Sequence, residues 1–197
     1  MGLALRDKAH HTYGDYISWS EETRYELVDG HAYAMAPAPS VSHQQVVGEL
    51  YRQVADALDD SPCRVLIAPV DVRLPRQDEA DEDIDTVVQP DLMVVCDPRR
   101  IEERGIRGAP DWIVEVLSPS TAAHDQQLKR EIYERHGVQE YWLVHPGDRV
   151  LIIYRLQANA YGKPEVMELE GESQVETLPG IVIHWDKVMG RLSGNTA

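Results

Sequence analysis

The sequence lacks any apolar run long enough to cross a membrane. A transmembrane helix needs roughly 18 or more consecutive apolar residues, and no stretch of the 197 residues approaches that length. The segment from Met1 to Asp15 also carries no apolar core of the kind found in secretory signals. Together these absences predict a cytoplasmic protein that is not anchored in a membrane.

Cysteine is scarce as well. Cys63 and Cys96 each lie in an apolar run typical of a strand, and two isolated cysteines cannot give the spacing of a zinc ribbon. Because the cytosol keeps thiols reduced, both are predicted to be small, reduced core residues. In the alternative interpretation they form a disulfide or supply a reactive thiol.

Positive charge is in short supply: 19 Lys and Arg against 34 Asp and Glu give a formal net charge of −15. Proteins that grip nucleic acid without sequence preference usually carry a basic surface, so the composition argues against a large basic footprint. Six of the acids fall within residues 78–85, and charges more than about 8 Å apart are largely screened at physiological salt. A small basic groove on an acidic body therefore remains compatible with this composition.

The connector at residues 99–108 is the candidate for such a groove. It contains four arginines that would form a basic rim: Arg99, Arg100, Arg104 and Arg107. In the alternative interpretation, Glu102 and Glu103 neutralise these arginines on a solvated helix. Both interpretations stay open at the level of the sequence.

Several widespread catalytic motifs are also absent. The chain has no Gly-rich dinucleotide fingerprint after a strand, no P-loop, no GxSxG nucleophile elbow and no HExxH zinc motif. These absences argue against nucleotide-dependent enzymes, serine hydrolases and zinc proteases of the familiar kinds.

The periodic segments predict one mixed α/β domain. Asp29-Gly30, between two alternating runs, predicts a hairpin, and the capping-box spacing of Ser18 and Glu21 predicts a short helix before it. Apolar residues at three- and four-residue steps predict a helix over residues 42–58. The other predicted elements are strands at 64–74, 87–96, 111–117, 140–144 and 150–156, short strands at 166–169 and 181–184, and a helix at 121–136 ended by Gly137.

These elements divide the chain into three parts. Residues 1–17 are predicted to be a loose N-terminal arm, residues 18–190 a single domain, and residues 191–197 a tail. The sequence shows neither internal repeats nor a linker that would separate two domains.

Two carboxylates interrupt apolar strands and are the first candidates for chemistry. Asp91 lies at the start of one such strand and Glu115 lies within another. Burying an ionised carboxylate costs several kcal/mol unless it is paired or binds a metal. A hard divalent cation such as Mg²⁺ takes oxygen ligands, so the pair indicates a metal site. In the alternative interpretation each carboxylate caps a strand end or pairs with an arginine.

The predicted helix at 121–136 carries Asp125, Lys129 and Tyr133 on one face, because their spacing is four residues. If this helix packs beside the Glu115 strand, Lys129 projects toward the carboxylates and would orient an attacking water and offset developing charge. In the simpler interpretation, Asp125 and Lys129 form a surface ion pair worth a few tenths of a kcal/mol.

These residues resemble the Uma-two family, whose members are classed as candidate endonucleases. The resemblance covers roughly residues 18 to 185. It rests on Pro90-Asp91, on Ala-Pro-Asp-Trp-Ile-Val-Glu-Val-Leu-Ser-Pro-Ser-Thr at 109–121, on Asp125, Lys129 and Tyr133, on Gly-Val-Gln-Glu-Tyr-Trp-Leu-Val at 137–144, and on Tyr-Glu-Leu-Val-Asp-Gly at 25–30 with Ser42-His43.

The resemblance implies a restriction-endonuclease-like fold, with a mixed β-sheet core flanked by helices and an N-terminal β-hairpin. The family resembles the PD-(D/E)xK nucleases, which implies Asp91 and Glu115 as metal ligands together with the carbonyl of Val116. Leu117 occupies the position of the lysine in that motif. The resemblance implies that Lys129 takes over the role of this lysine.

Further roles follow from the same resemblance and from position. Glu26 in the hairpin matches an acidic residue that other nucleases of this fold add to the site, although it is also compatible with an exposed hairpin acid. His43, Tyr133 and Arg107 are expected to contact the substrate, although His43 alternatively only caps its helix. The expected cofactor is Mg²⁺ or Mn²⁺, and the expected substrate is nucleic acid, DNA rather than RNA. A homodimer is a further expectation.

Three other functions remain open. One is a nuclease-like scaffold that binds without cutting, which the acidic charge and the displaced lysine favour. Another is a metal-dependent phosphodiesterase for small molecules, for which an acidic surface is no obstacle. The third is a structural protein whose carboxylates are merely paired with cations.

Overall fold

The computed structural model describes residues 9–19, 24–35, 38–117 and 125–193. It is a mixed α/β structure with two larger β-sheets, flanking helices and a small C-terminal hairpin. The fold class is therefore confirmed. The helices are α1 (Tyr13–Tyr16), α2 (Val41–Ala57), α3 (Arg130–His136) and α4 (Trp185–Ser193).

The strands fall into three groups. The outer sheet contains β1 (Tyr25–Val28), β2 (His31–Ala34), β4 (Val72–Arg73), β5 (Val87–Val88), β7 (Ile101–Glu102) and β8 (Gly105–Arg107). The central sheet contains β3 (Arg64–Ile67), β6 (Leu92–Val95), β9 (Trp112–Val116), β10 (Glu140–His145), β11 (Val150–Gln157), β12 (Ala160–Tyr161) and β13 (Glu165–Glu168). The small hairpin consists of β14 (Glu172–Gln174) and β15 (Val182–His184).

The central sheet runs in the order β12-β11-β10-β9-β6-β3, with β13 also paired to β11. β9 and β10 are parallel, whereas β6 pairs antiparallel with both β9 and β3. Strands β6 and β9 are buried along their full length. A sheet covered on both faces needs apolar residues at successive positions, which explains their continuous apolar sequences.

Each face of the central sheet has its own hydrophobic core. On one face, Val94, Trp112 and Trp142 pack with Leu50 of α2 and Trp185 of α4. On the other face, a second cluster joins the central sheet to α3 and the outer sheet through Met93, Ile113, Tyr133, Val28 and Val72. Because side chains alternate along a strand, Asp91 and Glu115 share the second face with Met93 and Ile113. The outer sheet and α3 therefore cover the candidate carboxylates.

Two predicted long strands are each divided between the two sheets. The segment predicted at 64–74 becomes β3 and β4, and the segment at 87–96 becomes β5 and β6. Pro69 and Pro90 lie at the breaks, and a proline has no N–H with which to continue a strand ladder. The chain crosses between sheets at these prolines, so Pro90 brings Asp91 to the junction of the two sheets.

The connector at 99–108 does not form the solvated helix of the alternative interpretation. A short 3₁₀ turn at Pro98–Arg100 leads into a hairpin of β7 and β8 at the edge of the outer sheet. Gly105 makes this packing possible, because its φ of +114° suits glycine and a Cβ there would lie 2.3 Å from the backbone oxygen of Asp71.

Several predicted elements are confirmed with shifted ends. The hairpin at Asp29-Gly30 pairs β1 with β2, and α2 lies close to the predicted helix. Gly137 ends α3 with a φ of +82°. A π-helical turn at Asp125–Lys129 precedes α3, and the predicted start of this helix at Thr121 lies outside the described residues. Glu21 of the predicted capping box also lies outside them.

Residues 9–17 are packed against the domain, although the sequence assigns them to a loose arm. The amide of Tyr13 donates to the oxygen of Ile84, and the Tyr13 side chain is buried with Leu27, Ile84 and Val87. At the other end, α4 extends to Ser193, past the predicted start of the tail. The division of the chain into domains otherwise stays a prediction.

The two cysteines form a disulfide, so the prediction that both are reduced core residues is wrong. Cys63 and Cys96 flank the paired strands β3 and β6 at the end marked by the Arg64–Val95 pair. Their Cα atoms lie 3.9 Å apart. The sequence shows two apolar surroundings but not the strand register that places the cysteines opposite each other.

Within the described residues, no helix is long and apolar enough to cross a membrane.

Candidate active site

Asp91 and Glu115 lie opposite each other on neighbouring strands. β6 and β9 pair antiparallel with Leu92 opposite Val114, and one more step of this register places Asp91 opposite Glu115. Directly opposed residues project from the same face of a sheet with their Cβ atoms about 5 Å apart. The backbone N–H of Val116 donates to Oδ2 of Asp91 at 2.8 Å. The structure therefore brings together the three residues expected to hold a metal.

His43 contacts Asp91 from the first turn of α2. Its Nε2 lies 3.1 Å from Oδ2 of Asp91, and the two side chains are 11% and 21% exposed. Ser40 caps this helix by accepting a hydrogen bond from the backbone N–H of His43 at 3.2 Å. The cap fixes the start of α2 and so directs the His43 ring toward Asp91. His43 thus reaches the candidate site, and its contact with substrate stays a prediction.

Lys129 connects the two sheets inside the second core. Its Nζ donates to Oε1 of Glu115 at 2.9 Å and lies 3.1 Å from Oε1 of Glu26. The three side chains are only 4–6% exposed. Lys129 is therefore buried and not a surface residue, and the side chain of Asp125 lies outside the described part of the structure. The structure confirms that the lysine projects toward Glu115, and it also brings in Glu26 from β1.

Tyr133 holds Glu115 from one turn further along α3. Its hydroxyl donates to Oε1 of Glu115 at 2.9 Å, and the residue is fully buried. Burial, and then the neighbouring Glu115 carboxylate, raises the pKa of this hydroxyl well above its usual value. The hydroxyl therefore stays protonated and remains a donor. In this position Tyr133 orients Glu115, and its predicted substrate contact stays untested.

Gln89 belongs to the site, although the sequence analysis does not single it out. Its backbone N–H donates to Oε1 of Glu26 at 2.8 Å. Its side chain accepts a hydrogen bond from Arg24 and donates to Oδ1 of Asp71 at 2.7 Å. The available signal is its position immediately before Pro90-Asp91. A backbone contact leaves no residue-type signature, which explains why sequence reasoning misses it.

Arg107 lies away from these carboxylates in its described contacts. Its Nε donates to Oδ1 of Asp81 at 2.8 Å, and its Nη2 donates to the backbone oxygen of Glu79 at 2.6 Å. It clamps the acidic segment that precedes β5. Its predicted role in contacting substrate stays a prediction.

Most of the arginines predicted to form a basic rim have partners close to them in the structure. Arg99 pairs with Asp97, and Arg100 donates to the backbone oxygen of Ala109. Glu102 pairs with Arg73 of β4 at 2.6 Å, so it does not neutralise the connector arginines as the alternative interpretation expects. Arg104 lies exposed in the turn between β7 and β8.

The donor set fits a magnesium-type ion. Such ions are held by one or two carboxylates and keep several waters. Asp91 is reachable from solvent, and its Oδ1 carries no hydrogen bond among the described residues. In the same described part of the chain, no group of three or more His, Cys, Asp or Glu is arranged to hold a metal. Two oxygen donors from Asp91 and Glu115 suit a partly hydrated Mg²⁺ or Mn²⁺ better than a zinc site.

Comparisons with known proteins agree with this fold. The structure is similar to the crystal structure of a protein from Anabaena variabilis described as a putative nuclease belonging to DUF820. The TM-score is 0.70 at 21% sequence identity, over 92% of this chain and 98% of that one. An uncharacterized protein of Synechocystis sp. is 30% identical over 133 residues, and the alignment spans 66% of each chain.

The family comparison covers most of the chain. The model of the Uma2 family, described as "Putative restriction endonuclease", matches residues 13–186. This range includes both sheets and all the residues that meet around Lys129. The protein therefore belongs to the Uma2 family, with a restriction-endonuclease-like α/β fold.

Proposed function

We propose that the protein is a metal-dependent endonuclease that hydrolyses phosphodiester bonds in nucleic acid. The observation that carries the proposal is the buried contact of Lys129 with Glu115 and Glu26, beside Asp91 on the adjoining strand. Buried ionisable side chains that meet beside a solvent-reachable carboxylate are typical of catalytic sites. Membership of the Uma2 family supports this reaction class, and the site supplies residues suited to it.

Asp91, Glu115 and the carbonyl of Val116 would hold the ion, Mg²⁺ or Mn²⁺. Bound there, the ion would lower the pKa of a coordinated water and stabilise charge on the phosphate. Tyr133 and Lys129 restrict the Glu115 carboxylate to one orientation, since both bond to its Oε1. The Val116 N–H and His43 do the same for Asp91 through Oδ2. Both carboxylates are thereby held in place before a substrate arrives.

Lys129 supplies the positive charge at the site. It would position the attacking water and favour the more anionic transition state over the ground state. Glu26, fixed by the Gln89 amide, shares the ammonium with Glu115 and so holds Lys129 in place. His43 lies 3.1 Å from Asp91 and is positively charged only when its ring is protonated. From this position a protonated His43 would contact the substrate phosphate.

A cleavage assay tests this proposal. The native protein should nick supercoiled DNA or cut single-stranded DNA when Mg²⁺ or Mn²⁺ is added. Glu115→Gln should abolish cutting, and Lys129→Ala should lower turnover about 10²–10³-fold in protein that a melting curve shows to be folded. Glu131→Gln is the matched control, because this exposed glutamate lies on the same helix. An unchanged rate in Lys129→Ala would refute the assignment of Lys129.

Two observations favour a second candidate, a nuclease-like scaffold that binds without cutting. The chain carries a formal net charge of −15, and Lys129 already has two carboxylate partners. Metal binding without hydrolysis of DNA, RNA or a chromogenic phosphodiester would support this alternative. Hydrolysis of the small phosphodiester alone would indicate a small-molecule phosphodiesterase. We also propose that the protein prefers DNA to RNA, which cleavage assays on both substrates would test. We further propose that it forms a homodimer, which light scattering would test.

A further inference from the structure

A cleft of about 480 Å³ opens beside the candidate site. Its volume lies in the range of small-ligand pockets, roughly 300–1,000 Å³. Four separate segments line it: the end of α1, the turn between β3 and β4, the residue Gln89 and the β7–β8 hairpin. None of the residues expected to hold the metal lines this cleft.

The cleft adjoins Asp91 on the same face of the central sheet. Leu66, which lines the cleft, pairs with Met93 of β6. Asp91 lies two residues before Met93, so it projects from the same face. The amide of Ala68, next to the lining residue Pro69, donates to the backbone oxygen of Asp91 at 3.2 Å. The cleft is therefore the neighbouring space on this face, into which a molecule with its phosphate at Asp91 would extend.

The polar part of the lining is centred on Asp71. Its Oδ1 accepts hydrogen bonds from Tyr16 Oη at 3.0 Å and from Gln89 Nε2 at 2.7 Å. Oδ2 of Asp71 carries no hydrogen bond among the described residues. Leu66 and Ile101 contribute apolar surface to the same lining. The cleft thus offers a fixed carboxylate acceptor between apolar walls, which suits a flat group that bears an N–H donor.

The charge of the lining residues determines which part of a nucleotide can enter the cleft. The lining contains the acids Asp71, Glu102 and Glu103 and one arginine, Arg104. Arg73 offsets Glu102. The remaining acids Asp71 and Glu103 still outnumber Arg104, so the lining disfavours a phosphate but not an uncharged base. Carboxylates are suitable acceptors for the exocyclic amino group of a base. The phosphate is therefore expected at Asp91 and Lys129, and the base in the cleft.

We propose that this cleft binds an unpaired nucleobase with an exocyclic amino group, next to the phosphate that is cleaved. The inference rests on the proposed function and deepens it by naming the substrate class. A base inside the cleft cannot stay stacked and paired in a duplex. The substrate class is therefore single-stranded nucleic acid, or a duplex with an unpaired nucleotide. Recognition through a base also reduces the need for the many phosphate contacts that an acidic protein cannot make.

Binding to homopolymers tests the cleft without cleavage. The probes are fluorescently labelled short strands of deoxycytidylate and thymidylate and a duplex, measured by anisotropy at fixed salt with Ca²⁺, an oxygen-binding ion, in place of Mg²⁺. All strands carry the same backbone, so a difference reports the base. We expect the native protein to bind the cytosine strand about tenfold more tightly than the thymine strand and to bind the duplex least.

Two cleft variants and one control sharpen the test. Asp71→Asn keeps an oxygen for Tyr16 but offers an N–H to the base, so the cytosine preference should disappear or reverse. Asp148→Asn removes the same charge from a side chain that is 84% exposed outside the cleft, and it should keep the preference. Ile101→Trp fills the cleft and should lower single-strand binding to the level of the duplex. Melting temperatures check that each variant is folded.

Each outcome bears on one proposal. Equal binding of both homopolymers, or an unchanged preference in Asp71→Asn, overturns the cleft assignment. Metal-dependent cutting without base preference supports the proposed nuclease activity and overturns the assignment of the cleft as a base-binding site. If the native protein prefers cytosine, Asp71→Asn loses that preference and no metal supports cutting, the base-binding assignment is supported and the proposed nuclease activity is refuted.

Discussion

Replacing Lys129 with methionine should destabilise the protein strongly, because Lys129 is the cation between two buried carboxylates. Its Nζ lies 2.9 Å from Glu115 and 3.1 Å from Glu26, and all three side chains are 4–6% exposed. Methionine has similar length and leaves little cavity. The substitution therefore isolates the loss of the charge.

The expected magnitude follows from this burial. Breaking a buried ion pair by removing one partner costs about 3–5 kcal/mol, because the remaining charge stays buried and unpaired. Exposed pairs cost far less, about 0–1 kcal/mol, and the low exposure of Lys129 excludes that case. For a domain of this length, each kcal/mol lowers Tm by roughly 2–4 °C. The melting temperature should therefore fall by roughly 6–20 °C.

Urea denaturation at neutral pH without divalent ions measures this loss. Lys187→Met is the control, because Lys187 is exposed on α4 and should change stability by less than about 0.5 kcal/mol. Combining Lys129→Met with Glu26→Gln and Glu115→Gln removes the unpaired charges and should recover most of the loss. A loss below about 1 kcal/mol in Lys129→Met would refute the argument that these three groups form a buried network.

Three further predictions concern other parts of the structure. Reduction of the Cys63–Cys96 disulfide, which closes a loop of 33 residues, should lower the free energy of unfolding by about 4 kcal/mol in urea. Gly105→Ala should lower the free energy of unfolding by about 1–3 kcal/mol or more, because alanine would adopt a φ of +114° and its Cβ would lie 2.3 Å from the Asp71 backbone oxygen. Burial, and then the neighbouring Arg135, lowers the pKa of His136 from 6.5. The folded state therefore binds fewer protons than the unfolded state, and stability should fall below about pH 6.5, less steeply in His136→Gln.

Matched controls separate these effects from general destabilisation. A reductant should leave the double variant Cys63→Ala and Cys96→Ala unchanged. Gly48→Ala tests an exposed position in α2 where a Cβ meets nothing within 4 Å, and alanine should stabilise the helix by about 0.5–1 kcal/mol. If the free energy of unfolding depends on pH in the same way for the native protein and for His136→Gln, the loss of stability at low pH does not come from His136.

The sequence identifies the pair of carboxylates because their strands are strongly apolar. An acid in a buried strand is conspicuous, and the structure pairs the two strands as antiparallel neighbours. Sequence spacing also places Lys129 and Tyr133 on one helix face, and the structure directs that face at Glu115. Lys129 offsets part of the charge on Glu115, and His43 lies against Asp91, whereas the expectation of a divalent ion stays a prediction.

The remaining features depend on contacts between distant segments. The change of sheet at Pro69 and Pro90 depends on where two sheets meet, and an apolar run does not encode that position. The disulfide depends on the register of β3 against β6. The β7–β8 hairpin escapes detection because it lies at a sheet edge, where partial exposure weakens the alternation of apolar and polar residues.

The contacts of the arginines connect the charge of the chain to the way it would recognise a substrate. Arg73, itself buried, pairs with Asp81 and Glu102, and Arg107 pairs with Asp81. These cations hold the acidic segment and the hairpin to the outer sheet, so their charge is offset locally and contributes little to attracting phosphates. Within the described residues, Lys129 is the cation that contacts Glu115, and His43 contacts Asp91, where it adds positive charge only when its ring is protonated. Affinity for nucleic acid must then come largely from contacts other than phosphate neutralisation, and the cleft beside Asp91 has the size and the acceptor to provide one.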